Sequence, residues 1–176
     1  MAAKIIVNIL LIITLGIAQI SFISGWSAPY SDLNLVLVIL IFILGFASFN
    51  LAVWWSFGVG FILEIFFFLP FGAYLISLIL TIIIANFLLD YFFTNRSLYS
   101  FLALVALATA ASELIINFMA YIFIEANRYF FPVEPAFWLS LLEQIGLNLL
   151  LTFFIYYLVH FFGRNLRPVF LMKIKK

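Results

Sequence analysis

The chain has 176 residues, of which 68% are hydrophobic and 9% charged, with 24 phenylalanines and a formal net charge of +1. A soluble domain usually carries roughly 25% charged residues, and one of about 150 residues still exposes around 30% of its unfolded-chain surface. The composition therefore excludes a soluble enzyme, a nucleic-acid binder and a disordered chain, and leaves an all-α polytopic membrane protein. With no cysteine, disulfides, thiol nucleophiles and Cys-based metal sites are excluded. The single histidine, His160, argues against a histidine-cluster metal centre. No metal or cofactor is expected, and the length allows one bundle with no sizeable domain outside the membrane.

A spanning helix needs about 20 mostly apolar residues, and the chain offers six such segments. Segment one runs from Lys4 to about Ser24. Its apolar run is long and no Ala-x-Ala site follows, so it reads as a retained helix and not a cleaved signal. The stretch Gly25–Asn34 carries Gly, Pro, Ser and Asp and reads as a loop. Trp26 and Tyr30 suit the membrane interface. Segment two spans about Leu33 to Phe49, and segment three Leu51 to Leu69, with Asn50 between them. Pro70 and Gly72 break the pattern before segment four, Phe71 to Phe93. A turn, Thr94 to Ser97, leads into segment five, Leu98 to Ile124. The polar loop Glu125–Pro135 precedes segment six, about Ala136 to Phe162. These segments are continuously apolar and do not alternate, which disfavours a β-barrel. The expected organisation is a single six-helix transmembrane bundle over 1–163 and a basic cytoplasmic tail over 164–176.

Six spans put both termini on one side. With the N-terminus inside, Lys4, Arg96 and the tail cations Arg164, Arg167, Lys173, Lys175 and Lys176 are all cytoplasmic, and only Arg128 is outside. The positive-inside rule therefore predicts an N-in, C-in topology. The tail is expected to meet anionic lipid, at about 1 kcal/mol per cation near the surface.

Polar groups within the spans carry the functional reading, because a charge near the bilayer centre costs about 2.5–3.5 kcal/mol on insertion scales. Ser56, Gly60 and Glu64 follow an i, i+4, i+8 spacing on segment three, with Gly58 beside them. Small residues let a second backbone approach, and a neighbouring carboxyl can hydrogen-bond across the contact. That face reads equally as a groove for a partner or as packing within the chain. Thr109, Glu113 and Asn117 form a second stripe on segment five. Ser140, Gln144, Asn148 and Thr152 form a third on segment six, beside Glu143. Segments three, five and six are expected to converge on a polar interior. No intramembrane Lys or Arg is present to pair with the glutamates, so Glu64 and Glu113 are expected to be neutral hydrogen-bond donors. Asp90 near the end of segment four is expected to pair with Arg96 or to be solvated. No Gly-x-Ser-x-Gly, His-Glu-x-x-His or phosphate loop occurs, so no enzyme is expected.

The run Gly58-x-Gly60-x-x-x-Glu64, followed by Pro70-Phe71-Gly72-Ala73-Tyr74, resembles the signature of the MreD family of rod shape-determining membrane proteins. That family shows a glycine-containing helix ending in Leu-Asp, a short gap, then Pro-Leu-Gly and an apolar helix. Here Glu64 stands for the Asp and Phe71 for the Leu. The family also carries an acid in its fifth helix, which Glu113 in Ser112-Glu113-Leu114 matches. The motif covers about fifteen residues; the layout covers most of the chain. The resemblance implies a non-enzymatic subunit of the bacterial cell-elongation machinery in the inner (cytoplasmic) membrane. It implies a bitopic MreC-like partner and, through it, MreB, RodA and a class B penicillin-binding transpeptidase in peptidoglycan synthesis. The Gly58/Gly60/Glu64 face is then the expected contact with the partner's helix.

A second reading is similar in layout: the substrate-binding subunit of an energy-coupling-factor vitamin transporter, also six helices in about 180 residues. Such subunits often carry an Ala-x-x-x-Ala docking patch in the first helix, and segment one has none. They also need a polar pocket opening outward. A lipid-handling or flippase-like protein is a third class, with no specific sign here.

Overall fold

The computed structural model describes residues 2–67, 71–93, 97–123 and 135–170, with side chains left aside at 2, 4, 123 and 162–170. Among these, every regular element is helical. The helices are α1 (Ala2–Ala18), α2 (Leu35–Phe46), α3 (Phe49–Phe66), α4 (Ala73–Tyr91), α5 (Leu98–Phe123) and α6 (Pro135–Phe170). A π-helical turn, Gln19–Ile23, extends α1, and a 3-10 turn, Tyr30–Asp32, precedes α2. Five stretches are long and apolar enough to cross a membrane: Ile5–Ile23, Phe49–Phe66, Ala73–Tyr91, Leu98–Ile122 and Pro135–Phe161. This is a multi-pass membrane protein. Trp54, Leu142 and Leu150 are each more than 60% exposed within their helices, as lipid-facing residues are.

The second segment departs from expectation. Instead of a span over 33–49, α2 has only 12 residues, about 18 Å at 1.5 Å per residue. That is short of the ~30 Å hydrocarbon core, yet α1 and α3 run parallel, with Asn8 beside Trp55, Ile12 against Gly58 and Gly16 against Ile62, so the stretch holding α2 still returns the chain to the side where α1 began. The helix stops at Phe46, and Ser48 at once caps α3, its Oγ accepting from the Leu51 N–H at 3.3 Å. Asn50 therefore lies in the first turn of α3 and not between two spans. The sequence of α2 is apolar on every side, which is the pattern of a buried helix. Accordingly Val36, Leu37, Val38, Leu40 and Ile41 are fully buried. The central helix α2 packs on α3, α4, α5 and α6, which follow one another as neighbours, while α1 lies against α3.

Glycines set the tightest contacts. A Cβ at Gly16 would meet Ile62 Cγ2 at 2.8 Å, and one at Gly58 would meet Ile12 Cγ2 at 2.9 Å. The contact between α1 and α3 is thus reciprocal, each glycine receiving an isoleucine of the other helix. A Cβ at Gly60 would stand 3.0 Å from the Leu75 Cα, so α3 and α4 approach backbone to backbone there. At the far end of α2, Gly45 makes room for the ring of Phe101. Phe101 in turn stacks on Phe42 and Phe46 with centroids 5.0 and 5.1 Å away.

The carboxyl end of the chain extends the sixth helix. The α6 helix continues to Phe170, so the first part of the region expected as a tail is helical. Residues 171–176, Arg96, Arg128 and most of the Glu125–Pro135 loop lie outside the described residues, and so does the expected Asp90–Arg96 pair. Within the described residues Asp90 accepts from Asn86 Nδ2 at 2.9 Å.

Candidate polar cavity and its supporting network

The amino end of α2 lies inside the bundle, where its unpaired N–H groups need acceptors. Three side chains supply them. Gln19 Oε1 accepts from the Leu35 N–H at 2.9 Å, and its Nε2 donates to the Leu33 carbonyl at 3.0 Å. Asn34 Oδ1 accepts from the Leu37 N–H at 2.9 Å. Asn148 Oδ1, from α6, accepts from the Asn34 N–H at 2.9 Å. The π-helical turn belongs to this arrangement: Ser24 N donates to Gln19 O at 3.0 Å, five residues back. The wider turn contains Gln19, whose side chain is buried.

The polar stripes of α5 and α6 face each other. Asn148 Nδ2 donates to Thr109 Oγ1 at 3.0 Å, and Gln144 Nε2 donates to Glu113 Oε1 at 2.9 Å. One turn further along, Thr152 Oγ1 donates to its own helix at Asn148 O, 2.6 Å away. Asn117 also bonds locally, its Nδ2 donating to the Glu113 carbonyl at 2.8 Å. Ser56 is fully buried and bonds back to the Ala52 carbonyl at 2.7 Å.

Glu64 has a separate task. Gly72 begins α4 with a φ of +99°, a conformation glycine tolerates and L-residues resist. Glycine has no side chain with which to cap the helix. Glu64 Oε2 supplies the missing acceptor to the Leu75 N–H at 3.1 Å. The carboxyl also sits at the positive end of the helix dipole. Glu64 and Glu113 thus enter their interhelical bonds as acceptors, where donors were expected. Glu64 Oε1 is buried without a hydrogen-bond partner.

The sequence-predicted residues fall into distinct places. Gly58, Gly60 and Glu64 are covered by α1 and α4 of this same chain, so that face does not lie open to a partner's helix. Pro70 lies outside the described residues. Glu113 and Asn117 belong to the α5 stripe. Glu143 is exposed, although its neighbour Gln144 is buried. One residue is about 100° of helix, so turning Gln144 toward α5 turns Glu143 outward.

A cavity of about 440 Å³ opens at the end of the bundle where α3 ends and α4 begins. The Gln19 amide, Asp32, Tyr74, Glu113, Phe137 and Gln144 are among its walls. Tyr74 packs at a tilt against Phe67 with ring centroids 4.7 Å apart, and both residues border the cavity. Sequence reasoning missed Gln19, Asp32 and Tyr74 as site residues. An amide at the end of a long apolar run was the available signal for Gln19.

Compared with protein-family models, curated proteins and solved structures, the chain matches none.

Proposed function

We propose that this protein is a non-enzymatic scaffold or regulatory subunit of the bacterial cell-elongation machinery. It is set in the inner membrane with both termini cytoplasmic and bound to an MreC-like bitopic partner. The observation that carries the reading is the bond from Leu75 N to Glu64 Oε2. It gives a physical reason for the motif spacing: Gly60 brings α4 close, Gly72 starts it, and Glu64 caps it. The N-in orientation follows the cation distribution. With the glycine face occupied, the partner's helix takes the open face of α6. There Glu143 is exposed within a span and a Cβ at Gly146 would meet nothing within 4 Å. A covering helix relieves the cost of a carboxyl facing lipid.

The cavity favours a second reading, a substrate-binding membrane subunit, because in the N-in orientation it opens outward. One experiment separates the two. A photoreactive residue is placed at Gly146, and the crosslinked product from native membranes is identified by mass spectrometry. A single-span protein with a large outer domain, accompanied by wall-synthesis enzymes, supports the scaffold. An ATP-driven coupling subunit supports the second reading and refutes the first.

A further inference from the structure

The cavity has an unbalanced set of hydrogen-bonding groups. Five of its lining side chains turn a donor onto the protein itself. Gln19 Nε2 bonds Leu33 O, Ser24 Oγ bonds Gln19 O, and Ser31 Oγ bonds Asp32 Oδ1, at 3.0–3.1 Å. Ser140 Oγ bonds Phe137 O at 3.2 Å, and Gln144 Nε2 bonds Glu113 Oε1 at 2.9 Å. Tyr74 and Asn34 also bring an O–H and an amide N–H to the walls, and beside them acceptors remain. Gln144 is only 8% exposed, and its Oε1 is buried with no hydrogen-bond partner. A buried amide oxygen in that condition is unfavourable unless something donates to it. Asp32 and Glu113 add two carboxyl groups to the same walls, and among the described residues none of the lining side chains is Lys, Arg or His. The remaining walls are apolar, with the rings of Phe67, Tyr74 and Phe137 beside aliphatic Leu33, Leu63, Ile116 and Leu141. Aromatic faces attract cations.

We propose that this cavity is a binding site for a small, flat organic cation rich in N–H donors, an amidine or protonated heteroaromatic amine. Its donors meet the carboxyl groups of Asp32 and Glu113, a rotation of the buried Gln144 amide brings Oε1 to it, and its ring lies against the aromatic side chains. The volume is within the ~300–1,000 Å³ of small-molecule sites. This goes beyond the scaffold reading and gives the second reading its ligand chemistry, but it depends on neither partner.

The test uses the full chain in lipid nanodiscs and equilibrium dialysis against 4-aminobenzamidine, with empty nanodiscs subtracted. The neutral 4-aminobenzamide and the anionic 4-aminobenzoate have nearly the same shape. The expected result is saturable binding of one amidine per chain, with the amide and the benzoate at least tenfold weaker. Asp32→Asn, in the short turn before α2, is expected to weaken the amidine about tenfold and to leave the amide unchanged. Gln144→Leu is expected to weaken both. An unchanged circular dichroism spectrum and elution volume establish that each variant is folded. No saturable amidine binding, equal binding of the benzoate, or indifference to Asp32→Asn overturns the proposal. Partner capture through Gly146 reads a different surface, so either result stands without the other.

Discussion

Gln144 on α6 donates to Glu113 on α5 across 2.9 Å, joining two residues 31 positions apart. The bond belongs to a ladder with Asn148 and Thr109, one turn away on each helix. Interhelical hydrogen bonds in membranes average about 0.6 kcal/mol and reach about 1.7. Gln144→Leu removes the donor and leaves the carboxyl without it, so a loss of about 1–2 kcal/mol is expected. Detergent-titration unfolding of Gln144→Leu, Glu113→Leu and the double variant measures it. A double variant equal to the sum of the singles would mean the bond contributes nothing.

Gly60 and Glu64 contribute to the α3–α4 contact in different ways. Gly60→Leu drives a branched side chain into the Leu75 backbone, and overpacking of this kind costs about 1–3 kcal/mol or more. Glu64→Gln keeps a carbonyl oxygen for the Leu75 N–H and is expected to unfold near the wild-type midpoint. Glu64→Leu removes the cap, which is typically worth about 1 kcal/mol. If Glu64→Gln were as damaging as Glu64→Leu, charge and not capping would be the role of this residue.

Gly72 starts α4 at a positive φ. A left-handed conformation costs an L-residue roughly 1–2 kcal/mol. Gly72→Ala is therefore expected to lower stability by about that amount. A Cβ there would stand 3.5 Å from Ile76 Cδ1, ordinary contact, so the backbone alone is responsible. Gly146→Ala, on the open face of α6, is the control and should be neutral or mildly stabilising as a helix substitution.

Gln19 and Asn148 hold the amino end of α2. Gln19→Leu leaves the Leu35 N–H unpaired, and Asn148→Leu leaves the Asn34 N–H unpaired. Hydrogen exchange in nanodiscs is expected to show faster exchange at those amides in the corresponding variant. The amides of the middle of α2 should stay protected. Loss of protection throughout α2 would mean the whole helix depends on the cap.

Much of the architecture is legible in the chain because lipid imposes simple rules. Long apolar runs become helices, since within lipid only helices and closed β-barrels satisfy the backbone and barrel strands alternate in polarity. The polar stripes of α5 and α6 are visible because helical neighbours repeat every three to four residues. The glycine-carboxyl run of α3 is visible for the same reason. Less accessible was the fate of the second segment. Its apolar run meets the next with only Ala47 and Ser48 between them, and neither is charged. Gln19 and Asn34 are not legible because a single amide has no period. Gly16 is not legible either, because its significance lies in Ile62, on another helix.

By itself the sequence determined that the protein is helical, membrane-embedded and marked by polar stripes. These are properties of one helix at a time, set by composition and by the 3.6-residue turn. Tertiary structure alone decided which stripe meets which, that α2 is a buried core helix, that Glu64 caps α4, and that Glu143 faces outward. Each depends on the position and rotation of a helix against its neighbours. Those are settled by packing between residues far apart in the chain, where a glycine's missing side chain or one amide's reach fixes the contact.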